Sequence, residues 1–161
     1  MLGEGIHLSC GACGARYALS EYGELIGENV EAKFTMVTDW FAWQRSCVRE
    51  ELTEERYLLD IPVEIAVQVD NKALYFVGDG NLLHTKDGFT LTGCDGKLSV
   101  QHSARHMYCV NADYNFYEIG DMVSFGTTKA IYYCFPKGKG DFVAKTRLAV
   151  EESYRLLHTN E

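Results

Sequence analysis

Long apolar runs are missing from this sequence. No stretch of about 18 consecutive apolar residues occurs, so the sequence gives no sign of a transmembrane helix. The basic, apolar and small-residue regions of a secretory signal peptide are missing as well. With no export signal, we expect the six cysteines to be reduced and the chain to be cytoplasmic.

Proline is scarce, and positive charge is in deficit. Only two prolines occur, whereas aromatic residues make up 12% of the chain and hydrophobic residues 47%. This composition favours β-strands around a core and excludes a disordered chain. The net charge of −8 makes general binding to nucleic acid unfavourable, so we expect no nucleic-acid partner.

The common catalytic motifs are also absent. The sequence has no G-x-S-x-G, no P-loop and no H-E-x-x-H. His102 and His106 are four residues apart, but they lie in a predicted loop, and this spacing directs two histidines at one ion only on a helix. The run Gly78-Asp79-Gly80 lacks the third glycine and the helix of a dinucleotide-binding loop, so it is interpreted as a turn.

The first half of the chain contains a hairpin pattern and a helix pattern. We expect strands at 7–10, 16–19 and 24–26, and an irregular segment at 29–37. A helix is predicted from Thr38, a suitable N-cap, with Asp39 in its first turn. Its predicted apolar face recurs at helical spacing and comprises Trp40, Phe41, Gln44, Cys47, Val48 and Leu52.

From Tyr57 onward the pattern changes to alternation. Apolar residues at every second position from Ile61 to Val69 predict a half-buried strand, and Asp-Gly pairs mark tight turns between the strands that follow. Six or seven short antiparallel strands result. A last helix is predicted at about 142–157, with Asp141 as its N-cap and an apolar face of Val143, Thr146, Val150, Tyr154 and Leu157.

These elements predict a mainly β protein of the α+β class. Residues 1–56 would form a zinc-ribbon-like hairpin and a helix. Residues 57–161 would form a small antiparallel β-barrel or roll closed by the C-terminal helix. The order of elements matches pleckstrin-homology-like (PH-like) barrels, which is an analogy at the level of the fold only.

The one motif with clear chemical content is the knuckle Cys10-Gly11-Ala12-Cys13-Gly14. Two thiolates at this spacing can bind one metal ion, but a closed zinc site needs four ligands. Three interpretations remain open: zinc held with two further ligands, for which His7 or another thiol is a candidate; a four-cysteine site shared by two chains; and a ribbon without metal.

A group of bases lies near the C-terminus. Lys137, Lys139, Lys145 and Arg147 follow the last predicted strand or lie in the last helix. Such a group could contact an anion, although solvated turn and helix charges have the same composition. The composition alone does not separate the two interpretations.

The chain resembles the C-terminal extension of bacterial (Firmicutes) lysophosphatidic acid acyltransferases, which are phospholipid/glycerol acyltransferases. The resemblance covers most of the chain. It rests on short runs in the same order: residues 10–17, 21–25, 39–45 and 48–52, then 78–83, 88–89, 91–93, 131–133, 135–136, 143–145, 148–149 and 151–152.

The resemblance implies an accessory role. In that family a membrane-anchored catalytic domain comes first and carries H-x-x-x-x-D, whereas here no histidine is followed by an aspartate five residues later. The expected partners are therefore the chain's own catalytic domain, and a membrane surface contacted through Lys137, Lys139, Lys145 and Arg147. The alternative, unconnected with lipid synthesis, is a dimerisation or protein-interaction module braced by zinc at Cys10 and Cys13.

Overall fold

A computed structural model describes residues 2–11, 13–70, 72–138 and 142–159. It is mainly β, with two helices and antiparallel sheets, as the sequence predicts. The chain divides into two compact units, Met1–Cys47 and Val48–Glu161, which are called unit 1 and unit 2 below. The predicted domains, 1–56 and 57–161, stay a prediction.

Unit 1 contains a four-stranded antiparallel sheet in the order β1-β2-β3-β4. Its strands are β1 (Leu2–Glu4), β2 (His7–Ser9), β3 (Arg16–Leu19) and β4 (Leu25–Gly27). The sequence pattern predicted the last three strands. Strand β1 was not predicted, because Leu2-Gly3-Glu4 contains one large apolar residue and so shows no alternation. Helix α1 (Val37–Thr53) begins one residue before the predicted cap at Thr38.

The predicted apolar face of α1 is only partly correct. Val48 and Leu52 are buried, as expected. Phe41 is instead 44% exposed, and the guanidinium carbon of Arg45 lies 5.4 Å from the centre of its ring. The spacing of Phe41 fits the buried face, but its ring lies near solvent. The guanidinium of Arg45 lies over this ring in a cation–π contact.

Unit 2 contains a seven-stranded antiparallel sheet in the order β8-β7-β6-β5-β11-β10-β9. A four-strand meander and a three-strand meander are joined by pairing of β5 with β11. The strand bounds are β5 (Leu59–Gln68), β6 (Tyr75–Thr85), β7 (Gly88–Gly93), β8 (Leu98–Ser103), β9 (Asn111–Phe116), β10 (Gly120–Gly126) and β11 (Ile131–Pro136).

The sheet is not closed into a barrel, which corrects one of the two predicted architectures. Strand β8 pairs only with β7 and β9 only with β10, and no ladder among the described strands joins these two edges. A 3₁₀ turn at Ala104–His106 follows β8 directly, so the chain leaves the sheet there before β9 begins at Asn111.

The main core of unit 2 lies on one face of this sheet. Alternating residues of β5, among them Val63 and Ile65, pack with Leu82, Phe89 and other inward side chains. Helix α2 (Phe142–His158) adds Val150 to this cluster. The predicted start of α2 is correct, but Leu157 is exposed rather than part of the buried face. The predicted cap Asp141 lies outside the described residues.

The segment Gly78-Asp79-Gly80 is not the predicted turn, because it continues β6. Gly78 has a φ of +128° at a bulge opposite Ile65, a conformation that favours glycine. A Cβ atom on Gly80 would lie 2.3 Å from the carbonyl oxygen of Thr92 and 2.4 Å from Cδ1 of Ile65. The glycines therefore let β6 bend and let β7 approach closely.

Candidate functional site

The predicted knuckle turn is present. The amide of Cys10 donates to the carbonyl of Ala15 at 2.8 Å, and the amide of Gly14 donates to the carbonyl of Cys10 at 2.9 Å. Gly14 has a φ of +71°, which side chains other than glycine rarely adopt. This backbone geometry explains why a glycine follows the second cysteine.

Both knuckle cysteines line a pocket of about 340 Å³ in unit 1, which we call the knuckle pocket. Strand residues, the irregular segment after β4 and the first turns of α1 form its walls. Aromatic side chains predominate in the lining, which comprises Cys10, Cys13, Ala15, Tyr17, Leu25, Lys33, Phe34, Trp40, Trp43 and Gln44.

The aromatic rings of the knuckle pocket contact one another in pairs. The ring centres of Tyr17 and Trp40 are 5.8 Å apart, and those of Phe34 and Trp43 are 5.6 Å apart. The Lys33 ammonium lies 4.6 Å from the Trp43 ring centre and 5.3 Å from that of Phe34. Sequence reasoning placed Trp40 on a helix face but missed Lys33 and Phe34, which lie in a segment without periodicity.

Cys10 and Cys13 are two of the four ligands that a closed zinc site needs. His7, one candidate for a further ligand, places Nδ1 2.8 Å from Oε1 of Glu28. No group of three His, Cys, Asp or Glu side chains suited to a metal occurs among residues 2–11, 13–70, 72–138 and 142–159. Cys10 and Cys13 would therefore hold zinc only with two donors from elsewhere, and the ion would then brace the fold.

Cys134 is a buried thiol with a structural role. It lies in the main core of unit 2, and burial raises its pKa to about 12. A metal ligand or nucleophile must be a thiolate, so Cys134 is unsuited to either function near neutral pH. This agrees with the expectation that a cysteine within a patterned strand acts as a small apolar residue.

The predicted anion-binding bases each contact a carboxylate where they are described. Lys145 and Arg147 are two residues apart on α2 and so point about 200° apart around its axis. An anion must compete with these carboxylates for the bases. Lys139 lies outside the described residues. The pairs are Lys137 Nζ–Asp79 Oδ1 at 2.5 Å, Lys145 Nζ–Glu51 Oε2 at 2.7 Å and Arg147 Nε–Glu151 Oε1 at 3.3 Å.

His102 and His106 line a second pocket of about 330 Å³, in unit 2. His102 lies near the end of β8 beside the ring of Phe125, and His106 lies in the 3₁₀ turn. Cys109 lines the same pocket, but the three do not form a metal-binding group within the described part of the chain. The i, i+4 spacing therefore does not indicate a metal site here.

A buried histidine and a buried tyrosine form a polar pair in unit 2. Tyr57 Oη and His84 Nδ1 are 2.9 Å apart and share a hydrogen bond. His84 is 1% exposed, and its ring stacks on Phe89 with the ring centres 3.9 Å apart. Burial lowers the pKa of His84 from 6.5 to about 3, so the imidazole is neutral.

This pair stabilises the fold and does not resemble a catalytic base. Burial, with a smaller contribution from the charge of Glu51, raises the pKa of Tyr57. Both side chains stay neutral near pH 7, so neither Tyr57 nor His84 is suited to transfer protons as a general acid or base. The sequence indicates the burial of His84 only through the alternation of β6, which places His84 on the same strand face as buried Leu82.

Glu152 is a buried carboxylate on α2 that sequence reasoning missed. Its Oε2 lies 2.6 Å from Nε of Arg49, and its Oε1 lies 2.8 Å from an Nη of Arg155. A buried carboxylate needs such partners because desolvation of an unpaired charge is costly. The pairing with Arg49 links α2 to the end of α1 within unit 2.

The second face of the unit 2 sheet carries connected aromatic rings. Ring centres are 5.7 Å apart for Phe76–Phe135, 6.4 Å for Phe116–Phe135, 5.4 Å for Phe116–Tyr133 and 4.6 Å for Phe116–Tyr117. We call these five residues the aromatic face. Tyr117 is 82% exposed and Phe76 is 49% exposed, so apolar surface remains open to solvent.

The aromatic face lies opposite the main core. Val123 and Cys134 pack into the main core with α2, while their neighbours Met122 and Phe135 belong to a separate apolar cluster. Successive strand residues point to opposite faces, so each face of the sheet carries an apolar cluster, and on the second face Glu64 and Asp113 lie beside it. An antiparallel sheet with one covered face usually presents polar residues on the other.

No described helix is both long and apolar enough to cross a membrane. Comparison with known proteins adds no family assignment: no protein-family model, curated protein or solved structure matches the chain.

Proposed function

We propose that this chain is a non-catalytic docking module, namely the accessory domain of a phospholipid/glycerol acyltransferase of the kind its sequence resembles. The observation that carries the proposal is the aromatic face. Aromatic side chains supply much of the buried contact in protein interfaces, and exposed apolar patches mark such surfaces. The catalytic domain implied by the resemblance is the partner we assign to it.

The composition of the aromatic face suits a protein partner. Tyr117 and Phe76 are exposed, whereas Phe135 is buried beneath them, so docking would extend an existing apolar cluster. Tyrosine also offers a hydroxyl that can bond to partner groups at the rim. Desolvating such rings is favourable, and Glu64, directly opposite Phe135, together with Asp113, directly opposite Met122, places charge beside them on the same sheet face.

Two finer features of the fold belong to the same proposal. A four-strand meander, a three-strand meander and a C-terminal helix, in that order, support a PH-like roll for unit 2. A knuckle within a small antiparallel sheet supports a zinc-ribbon-like unit 1. Both are comparisons of architecture and carry no function by themselves.

The sequence ahead of Met1 and a titration test the proposal. We expect the reading frame upstream to encode a domain with H-x-x-x-x-D. That domain, produced separately, should bind the full chain in isothermal titration calorimetry with a negative heat-capacity change, which is the mark of apolar burial. An upstream sequence without the motif, or no binding, would remove the acyltransferase connection.

A membrane contact is a separate part of the proposal. Lys137, Lys145 and Arg147, with Lys139, are the bases assigned to anionic lipid, and competition from their carboxylate partners predicts weak, salt-sensitive binding. Co-sedimentation with vesicles containing or lacking acidic lipid measures it. Equal failure to bind both kinds of vesicle would eliminate the lipid contact and leave the docking proposal intact.

A zinc-braced dimerisation module is the second candidate function. The knuckle turn favours it, because Gly14 and the backbone of Cys10 adopt a closed turn beside both thiols. Two chains would each contribute Cys10 and Cys13 to one four-cysteine site. This function does not depend on lipid synthesis.

Loss of one thiol should abolish both metal and dimer in that case. We expect the wild-type chain to contain about half an equivalent of zinc per chain, since one ion needs four thiolates. The Cys10→Ser variant should be a metal-free monomer by elemental analysis and light scattering, while Cys109→Ser, an exposed cysteine elsewhere, should match the wild type. A wild-type chain that is already a metal-free monomer would contradict this candidate.

A further inference from the structure

We propose that the knuckle pocket is a binding site for a flat aromatic carboxylate, with its rings against the aromatic walls and its carboxylate on Lys33. This inference goes beyond the docking function, because the pocket lies in unit 1 and the aromatic face lies in unit 2. It requires neither a partner chain nor a metal.

The walls of the pocket suit a planar apolar body. Tyr17, Phe34, Trp40 and Trp43 all line it, and Trp43 remains 43% exposed beside the opening. Planar rings gain from stacked or edge-on contact with such side chains in addition to the burial of their area. A volume of about 340 Å³ lies at the lower end of the range for small-molecule sites and accommodates a two-ring compound.

The charge of the pocket selects an anion. Lys33 is the one charged side chain among the described residues that line it. Its ammonium is held over the rings of Trp43 and Phe34, and no carboxylate is paired with it in the described part of the chain. A carboxylate at the edge of a stacked ring can therefore reach Lys33 without displacing an internal ion pair.

Acidic residues elsewhere in unit 1 do not reverse this preference. Unit 1 has more acids than bases, but Glu28 and the other acidic side chains are not among the lining residues. Salt also screens charges that are farther away than about one Debye length, roughly 8–10 Å near physiological ionic strength. Among the described residues that line the pocket, the charged group available to a bound ring is thus the ammonium of Lys33.

Two probes that differ only in charge test the proposal. The chain has two tryptophans, Trp40 and Trp43, and both line the pocket, so their indole N–H signals in nitrogen-15 NMR spectra report it directly. We expect 2-naphthoate and the neutral 2-naphthamide both to shift these two signals. The carboxylate should bind about fivefold more tightly, the upper range for a partly exposed ion pair.

Charge variants isolate the role of Lys33. In Lys33→Met the advantage of 2-naphthoate over the amide should vanish, and in Lys33→Arg it should persist. Lys97→Met, in an exposed turn of unit 2, is the matched control and should behave as the wild type. Equal affinity of the two probes for the wild type, an unchanged preference in Lys33→Met, or shifts that spare both indoles would each overturn the proposal.

Discussion

Replacing Phe89 by alanine should lower the free energy of unfolding by about 3–5 kcal/mol, the usual cost of removing a buried aromatic ring. Phe89 is fully enclosed in the core of unit 2. Its ring stacks on His84 at 3.9 Å between centres and on Phe125 at 5.3 Å. The truncation therefore leaves a cavity and removes two ring contacts at once.

Urea denaturation followed by far-ultraviolet circular dichroism measures this loss. Tryptophan fluorescence is unsuitable, because Trp40 and Trp43 both lie in unit 1 whereas Phe89 lies in unit 2. The matched control is Tyr117→Ala, an aromatic truncation at an exposed position of the same unit, which should cost about 1 kcal/mol or less. Equal losses in the two variants would contradict the assigned core.

Acidification should destabilise unit 2 before most carboxylates titrate. His84 has its pKa lowered from 6.5 to about 3 by burial, so the unfolded chain binds a proton that the folded chain excludes. Its contribution to stability is complete above pH 6.5 and is lost as the pH falls towards 3. We expect a loss of about 2 kcal/mol at pH 5, at about 1.4 kcal/mol per pH unit.

A variant without the imidazole separates this effect from other titrations. His84→Phe keeps a ring beside Phe89 but cannot be protonated, so its stability should change little between pH 6.5 and 5. Denaturation midpoints and slopes at several pH values give the comparison. The same slope of stability against pH in wild type and variant would show that His84 is not the group responsible.

Local pattern predicted the elements whose environment is regular. Alternation from Ile61 to Val69 locates β5, although the strand ends at Gln68 and Val69 is exposed, and the period of 3.6 residues locates α2 from Phe142. The spacing of Cys10 and Cys13 predicted the knuckle. In each case the pattern lies within a few neighbouring residues, so a single sequence is enough to detect it.

Other features depend on partners that are distant in the sequence. Gly78 and Gly80 have the composition of a turn, and only the approach of β7 and the bulge in β6 make them part of a strand. Glu152 has the character of a solvated helix residue until Arg49, about a hundred positions away, pairs with it.

The candidate site was predictable only in part. The cysteines of the knuckle were recognised from their spacing, but the role of Lys33 arises from an irregular segment folding over Trp43. The sequence pattern also could not predict whether the sheet closes. Pairing of the edge strands β8 and β9 depends on the path that the chain takes after β8. These are contacts between elements and not properties of one element.

Docking of a partner domain on the aromatic face can be measured in one titration. Calorimetric titration of the full chain with the upstream catalytic domain should show binding that Tyr117→Ser and Phe76→Ser each weaken at least about tenfold, as expected for buried aromatic anchors. Tyr22→Ser, which changes a tyrosine of similar exposure in unit 1, should bind as the wild type does. Unchanged affinity in both aromatic-face variants would contradict the account.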